Sequence, residues 1–172
     1  ARAGIREVGI IVGDTAADIR AAIGDGGAFG IRVTYIPQDA PLGLAHAVWT
    51  ARDFLKDDPF LMYLGDNLIK DALGPLVERF ERERPTALLL LAPVPNPSAF
   101  GVVELAGDRI VRLVEKPKIP PSNLALVGVY LFRKDIFEVI PKLKPSGRNE
   151  LEITEAIQLL LESGKKISYQ KI

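Results

Sequence analysis

Cysteine is absent from the 172 residues, and histidine and tryptophan occur once each. Disulfides, thiol nucleophiles and Cys-ligated zinc are thereby excluded, and the single His46 excludes a multi-histidine metal site. An excess of charge is missing too, since 22 Lys plus Arg balance 22 Asp plus Glu. A neutral chain is not built for charge-driven binding to a nucleic acid polymer or an acidic membrane, although a local basic pocket for a small phosphate compound stays open. Long apolar runs are also wanting. The longest, Ala87 to Pro93, falls far short of the ~20 residues that a membrane helix needs. No charged-then-apolar signal segment opens the sequence. These absences predict a cytoplasmic protein with no membrane partner. Two motifs are lacking as well: there is no G-x-x-x-x-G-K-[ST] phosphate loop and no G-x-S-x-G nucleophile elbow. The stretch Gly24 to Gly30 is glycine-rich, but it follows a predicted helix, and Phe29 stands where a dinucleotide fingerprint needs its third glycine. It reads as a loop.

What is present is the composition of one ordinary domain, 48% hydrophobic and 26% charged. A chain of this length can bury roughly 70% of its unfolded surface. Val8 to Val12 is an apolar run that predicts a strand covered on both faces. Asp14 caps a predicted helix over Thr15 to Ile23, with Ile19, Ala22 and Ile23 on one face and Gly24 at its end. A strand over Ile31 to Pro37 follows, then a helix from Leu44 to Lys56 burying Ala47, Val48, Ala51, Phe54 and Leu55. Phe60 to Leu64, a helix from Ala72 to Arg84, and Thr86 to Ala92 continue the alternation. The pattern predicts an α/β fold: a three-layer, Rossmann-like, mostly parallel sheet with right-handed crossovers.

The second half reads differently. Pro93, Pro95 and Pro97 stiffen a loop, and Phe100 to Leu105 and Arg109 to Glu115 flank the turn Ala106-Gly107-Asp108, predicting an antiparallel hairpin insertion. Pro117, Pro120 and Pro121 precede an apolar strand, Ala125 to Phe132. A short helix over Asp135 to Ile140 and a longer one over Leu151 to Glu162 follow, the latter opening with a capping-box-like Asn149 and Glu152. One domain over residues 1–172 is expected. The chain lacks an initiator Met, Gly4 resembles a glycine just past a helix that is absent, and Lys166 to Ile172 alternate like a strand. The expectation is a domain truncated at both ends.

In open α/β sheets the ligand crevice lies outside the carboxyl ends of the strands, and three loops land there: Gln38 to Gly43, Asp66-Asn67 and Asn96 to Gly101. A lone carboxylate after an apolar strand suits Mg²⁺, which takes one or two carboxylates and completes its shell with water and phosphate oxygens. Taken alone, Asp66 with Asn67 suits a turn. Glu115-Lys116 sets an acceptor beside a cation, fitting a hydroxyl and a phosphate, or a solvated charge pair. His46, isolated on a helix face, reads as a surface or half-buried residue.

Taken together the loops resemble a family. Gln38 to Ala47, Leu64-Gly65-Asp66-Asn67, Phe100-Gly101-Val102-Val103, Val114-Glu115-Lys116-Pro117, Val127-Gly128-Val129-Tyr130 and Glu150-Leu151-Glu152-Ile153-Thr154 occur in one order. They resemble sugar-1-phosphate nucleotidylyltransferases, most closely the glucose-1-phosphate thymidylyltransferases, over nearly the whole chain. The resemblance implies attack by a sugar-1-phosphate on the α-phosphorus of a nucleoside triphosphate, giving a nucleotide sugar and pyrophosphate. It implies that Gln38 hydrogen-bonds the pyrimidine edge and the Gly43 backbone holds the base. Asp66 would bind Mg²⁺, Gly101 would admit the sugar, and Glu115 would accept from its hydroxyls. Lys116 would meet its phosphate, Tyr130 would line its pocket, and Arg148 would add charge near the phosphate.

Two features of the family pattern are not in these residues: the N-terminal glycine-rich signature with its Arg and a following Lys, and a second metal-binding Asp in a W-x-D-x-G-type segment. A non-catalytic nucleotide-sugar-binding or regulatory relative is therefore the alternative to an enzyme. The sequence leaves a homo-oligomer open.

Overall fold

The structure, a computed structural model, describes residues 3–70 and 72–172; of the opening segment, Ala1 and Arg2 lie outside the described residues. Among the described residues eight strands and six α-helices follow in the order β1 (Glu7–Val12), α1 (Ala16–Ile23), β2 (Arg32–Pro37), α2 (Leu44–Thr50), α3 (Arg52–Leu55), β3 (Phe60–Tyr63), α4 (Leu73–Glu83), β4 (Ala87–Pro93), β5 (Gly101–Ala106), β6 (Arg109–Glu115), β7 (Leu124–Phe132), α5 (Ile136–Val139), α6 (Ile153–Glu162) and β8 (Ile167–Lys171). β1 and β2 form a parallel pair of their own, with Val8 opposite Val33 and Ile10 opposite Tyr35. The other six strands form one sheet in the order β6-β5-β7-β4-β8, with β3 joined to β7.

Why the sheet takes this form follows from its connections. Two pairs joined through one helix run the same way: β1 with β2 through α1, and β3 with β4 through α4, since both lie antiparallel to β7; β8 is parallel to β4, and so antiparallel to β7, from which α5 and α6 lead to it. The Rossmann-like α/β class and the hairpin insertion are therefore as expected. β7 is the departure from a mostly parallel sheet. It is reached from the hairpin through a proline-rich loop, so no helical crossover forces it parallel, and it slots antiparallel between β3 and β4. Opposite Leu89 to Leu91, two steps on β4, β7 takes four steps from Tyr130 to Leu126. This bulge is centred on Gly128. On its other edge β7 pairs with β5 at Ala125 and with β3 from Val129 onward.

The continuous apolar run of β4 is explained by cover on both faces. Leu88 and Leu90 pack with Leu76 and Phe80 of α4, while Ala87, Leu89 and Leu91 pack with Ile136, Ile157 and Leu160 of α5 and α6. That makes three layers. At the sheet edge, the Leu113 backbone N–H of β6 donates to Gln158 Oε1 of α6 at 2.8 Å.

Local boundaries shift for identifiable reasons. The helix expected over Leu44 to Lys56 breaks at Ala51 into α2 and α3 and ends where Lys56 turns left-handed (φ 53°). Its buried residues are Ala45, Val48 and Ala51, whereas Ala47, Phe54 and Leu55 are half-buried. Thr15, not Asp14, precedes α1, with the Ala16 N–H bonded to the Gly13 carbonyl, and Ile19 and Ile23 are half-buried. The last long helix starts at Ile153 because Glu152 is engaged elsewhere and Asn149 is left-handed (φ 61°) in a turn closed by Ser146. Gly24 to Gly30 is the expected loop, with a short helical turn over Gly27–Phe29.

Candidate active site

A cavity of about 420 Å³ opens beyond the ends of β3, β5, β6 and β7 and the start of α6. Asp66, Gly101, Glu115, Lys116, Tyr130 and Arg148 all line it. Six of the eight residues singled out in the sequence thus meet in one place, drawn from positions up to 82 apart. Its size lies within the range usual for small-molecule sites.

Glu115 ends β6 and Thr154 opens α6, and the Thr154 hydroxyl donates to Glu115 Oε2 at 2.6 Å. Gly101 lies under this pair. A Cβ there would collide with Thr154 Oγ1 and come within 3.0 Å of Glu115 Oε2. Its missing side chain makes room for the carboxylate as well as for a ligand. Arg148 donates to both oxygens of the buried Glu152 at 2.9 Å and reaches Glu115 and Glu150 at 3.3 Å each. The hydrogen bond to Glu152 and the three negative charges hold the guanidinium firmly protonated. Ser146 also donates to Glu152 at 2.7 Å. Removing charges from water this way costs free energy, and the attraction of one guanidinium for three carboxylates, with the Ser146 hydrogen bond, offsets part of it.

Tyr130 is buried in β7. Burial, and then the Glu115 charge, push its hydroxyl above its ordinary pKa, so it is a neutral donor at all working pH. Lys116 is exposed, with an uncommon left-handed backbone (φ 38°) and its N–H bonded to the Phe100 carbonyl. No ion pair engages its ammonium among the described residues. Asp66 sits on the exposed turn after β3, held from behind where the Leu64 N–H bonds to Gly128 O and Tyr63 Oη donates to Asn67 O. Among the described residues no cluster of three or more metal-ligating side chains occurs. One carboxylate facing a cavity fits Mg²⁺ shared with phosphate oxygens and water.

Gln38 and Gly43 do not line the cavity, although Leu44, next to Gly43, does. Gly43 (φ 100°) presses on the backbone of Leu151, whose carbonyl would lie 2.6 Å from an added Cβ. Leu151 N–H bonds to Leu42 O and Ala45 N–H to Leu151 O, so this segment is stitched to the one bearing Glu150 and Glu152. Gln38 Nε2 lies 2.7 Å from His46 Nδ1. Glu150 and Thr154 stand out in the sequence only as members of a motif, Glu152 also as a helix-capping residue, and His46 as an isolated histidine. Among the described residues no helix is long and apolar enough to cross a membrane.

A three-layer α/β sheet that gathers carboxylates, a lysine and an arginine in a crevice at its strand ends has the layout of a phosphate-compound-binding α/β protein. The chain belongs to the nucleotidyl transferase family, whose model matches residues 1–171. The glucose-1-phosphate thymidylyltransferase of Streptomyces antibioticus is 54% identical over 169 residues, 97% of this chain and 48% of that protein. The Streptomyces griseus protein of the same name is 52% identical over 166 residues, 96% of this chain and 47% of that protein. The crystal structure of a candidate glucose-1-phosphate thymidylyltransferase from Bacillus anthracis, in complex with sucrose, superposes with a TM-score of 0.87 at 37% identity. That match covers 95% of this chain and 67% of the other. The chain spans about half the length of the curated relatives it matches.

Proposed function

We propose that the full-length protein carrying this chain transfers a nucleotidyl group from a nucleoside triphosphate to a sugar-1-phosphate, with dTTP and glucose-1-phosphate as its preferred pair. An oxygen of the sugar phosphate attacks the α-phosphorus, the bond to the β-phosphate oxygen breaks, and pyrophosphate leaves as the nucleotide sugar forms. The reaction needs no covalent enzyme intermediate, so the protein's contribution is positioning and charge neutralisation. The observation that carries this reading is the convergence of Asp66, Gly101, Glu115, Lys116 and Tyr130 on one cavity, in a chain about half identical to two named thymidylyltransferases.

In this reading Glu115, held by Thr154, accepts hydrogen bonds from sugar hydroxyls, and Gly101 leaves the sugar room. Tyr130 donates within the sugar pocket. Lys116, whose ammonium has no ion-pair partner among the described residues, meets the sugar phosphate, and Arg148 adds positive charge from its carboxylate cradle. Gln38 reads the base, and Gly43 holds the backbone that flanks it. Asp66 would hold Mg²⁺, which when bound neutralises phosphate charge. A reaction between two small phosphorylated metabolites is assigned to the cytoplasm.

The test is pyrophosphate release by the full-length protein from glucose-1-phosphate with dTTP, UTP, ATP or GTP. We expect dTTP to be best and UTP usable but weaker, because a methyl discriminates by only ~1–3 kcal/mol. Preference for a purine would overturn the role of Gln38. Binding of a nucleotide sugar without release from any triphosphate would overturn the catalytic reading.

A further inference from the structure

We propose that His46 is a positioning residue that fixes the orientation of the Gln38 side-chain amide and so decides which pyrimidine the protein accepts. The inference rests on the reading of Gln38 as the residue that meets the base. Gln38 follows β2, His46 lies in α2, and 2.7 Å separates Gln38 Nε2 from His46 Nδ1. An amide nitrogen only donates. In this pairing the amide donates and Nδ1 accepts, which is the tautomer with the ring proton on Nε2.

His46 presents that acceptor from a rigid element. Ala45 and Val48 on either side are buried, and Ala45 N–H is bonded to Leu151 O. Thr50 Oγ1 donates to the His46 carbonyl at 2.9 Å. The helix turn that bears the imidazole is thus tied both to itself and to the segment that carries Glu150 and Glu152.

A primary amide has two N–H groups, one on the side of its oxygen and one opposite. With the opposite N–H given to His46, the oxygen and the remaining N–H stand side by side as an acceptor–donor edge. Thymine and uracil offer an N3–H donor between two carbonyls. Cytosine offers an N3 acceptor beside an amino donor, and it pairs with the same amide only when oxygen and nitrogen change places. An untethered amide turns over and serves both. One whose nitrogen is held by Nδ1 as acceptor serves the imide alone, as long as the ring keeps its proton on Nε2 and the base keeps its place.

The experiment is steady-state kinetics of the full-length protein with glucose-1-phosphate and either dTTP or dCTP. His46→Ala and His46→Leu remove the acceptor, and His46→Gln offers Oε1 in its place. Both removals are expected to cut the kcat/KM preference for dTTP over dCTP about tenfold, the effect of losing one hydrogen bond, with kcat for dTTP within about twofold of wild type. His46→Gln is expected to restore most of the preference. An unchanged preference in both removal variants, alongside its loss in Gln38→Ala, would overturn the role of His46 and leave that of Gln38. An unchanged preference in Gln38→Ala would overturn the reading of Gln38 itself. Equal losses with both nucleotides, at a constant ratio, would reduce His46 to a packing residue and overturn the proposal.

Discussion

Thr154 at the start of α6 donates its hydroxyl hydrogen to Glu115 at the end of β6, across 2.6 Å and 39 positions of sequence. The hydroxyl is buried, and the hydrogen bond is made to a charge, so its loss leaves Glu115 short of a partner. Thr154→Val should destabilise the protein by about 1–3 kcal/mol, and Thr154→Ser should recover most of that. Urea denaturation midpoints measure both. Gly101→Ala should act on the same pair by steric pressure and raise the KM for sugar-1-phosphate.

Lys116 carries two separable properties, its ammonium and its left-handed backbone. Lys116→Ala and Lys116→Gly both remove the ammonium, and each should raise the KM for sugar-1-phosphate far more than that for the nucleotide. At φ 38°, glycine should be the more stable replacement by about 1 kcal/mol. Equal KM effects on both substrates would mean that Lys116 is not at the sugar end.

Asp66 is exposed on its turn, so Asp66→Asn should leave stability within about 0.5 kcal/mol of wild type. An amide cannot supply an anionic ligand, and Mg²⁺-dependent turnover should be lost. Titration of Mg²⁺ against pyrophosphate release is the measurement, and near wild-type turnover would sink the assignment.

Glu155, in the first turn of α6, holds its proton more tightly than an ordinary glutamate. Partial burial is the first cause, and the charges of Glu152 and Glu115 add to it. A carboxyl whose pKa is raised by folding favours the fold while protonated, and that contribution fades as pH rises through its folded value. Glu155→Gln should therefore be more stable than wild type at pH 7, with the gap closing toward pH 4. Solvent screening keeps the gap small. Thermal midpoints across that range test the sign.

Patterns with local causes were legible in the sequence. The apolar runs of β3, β4 and β7 and the hairpin about Gly107 needed only periodicity and turn chemistry, and six residues singled out with the help of the family resemblance line one cavity. What stayed hidden depends on partners far along the chain. Asn149 and Glu152 have the spacing of a helix cap, yet Glu152 is claimed by Arg148 and Ser146, and the helix starts after it. Lys56 turns left-handed with no glycine to announce it. The antiparallel course of β7 depends on which strands flank it. His46 was read as isolated because nothing in an eight-residue spacing shows that its ring meets Gln38.

The hydrogen bond from Leu113 to Gln158 has a consequence for how copies of this protein coexist. Among the described strands β6 lies at the end of the order, where backbone groups left bare invite a strand from a neighbouring molecule. Gln158 reaches down from α6 and occupies one of those amides with its own oxygen. A helix side chain thus stands in for the missing neighbour, and self-templated aggregation loses a foothold at that edge.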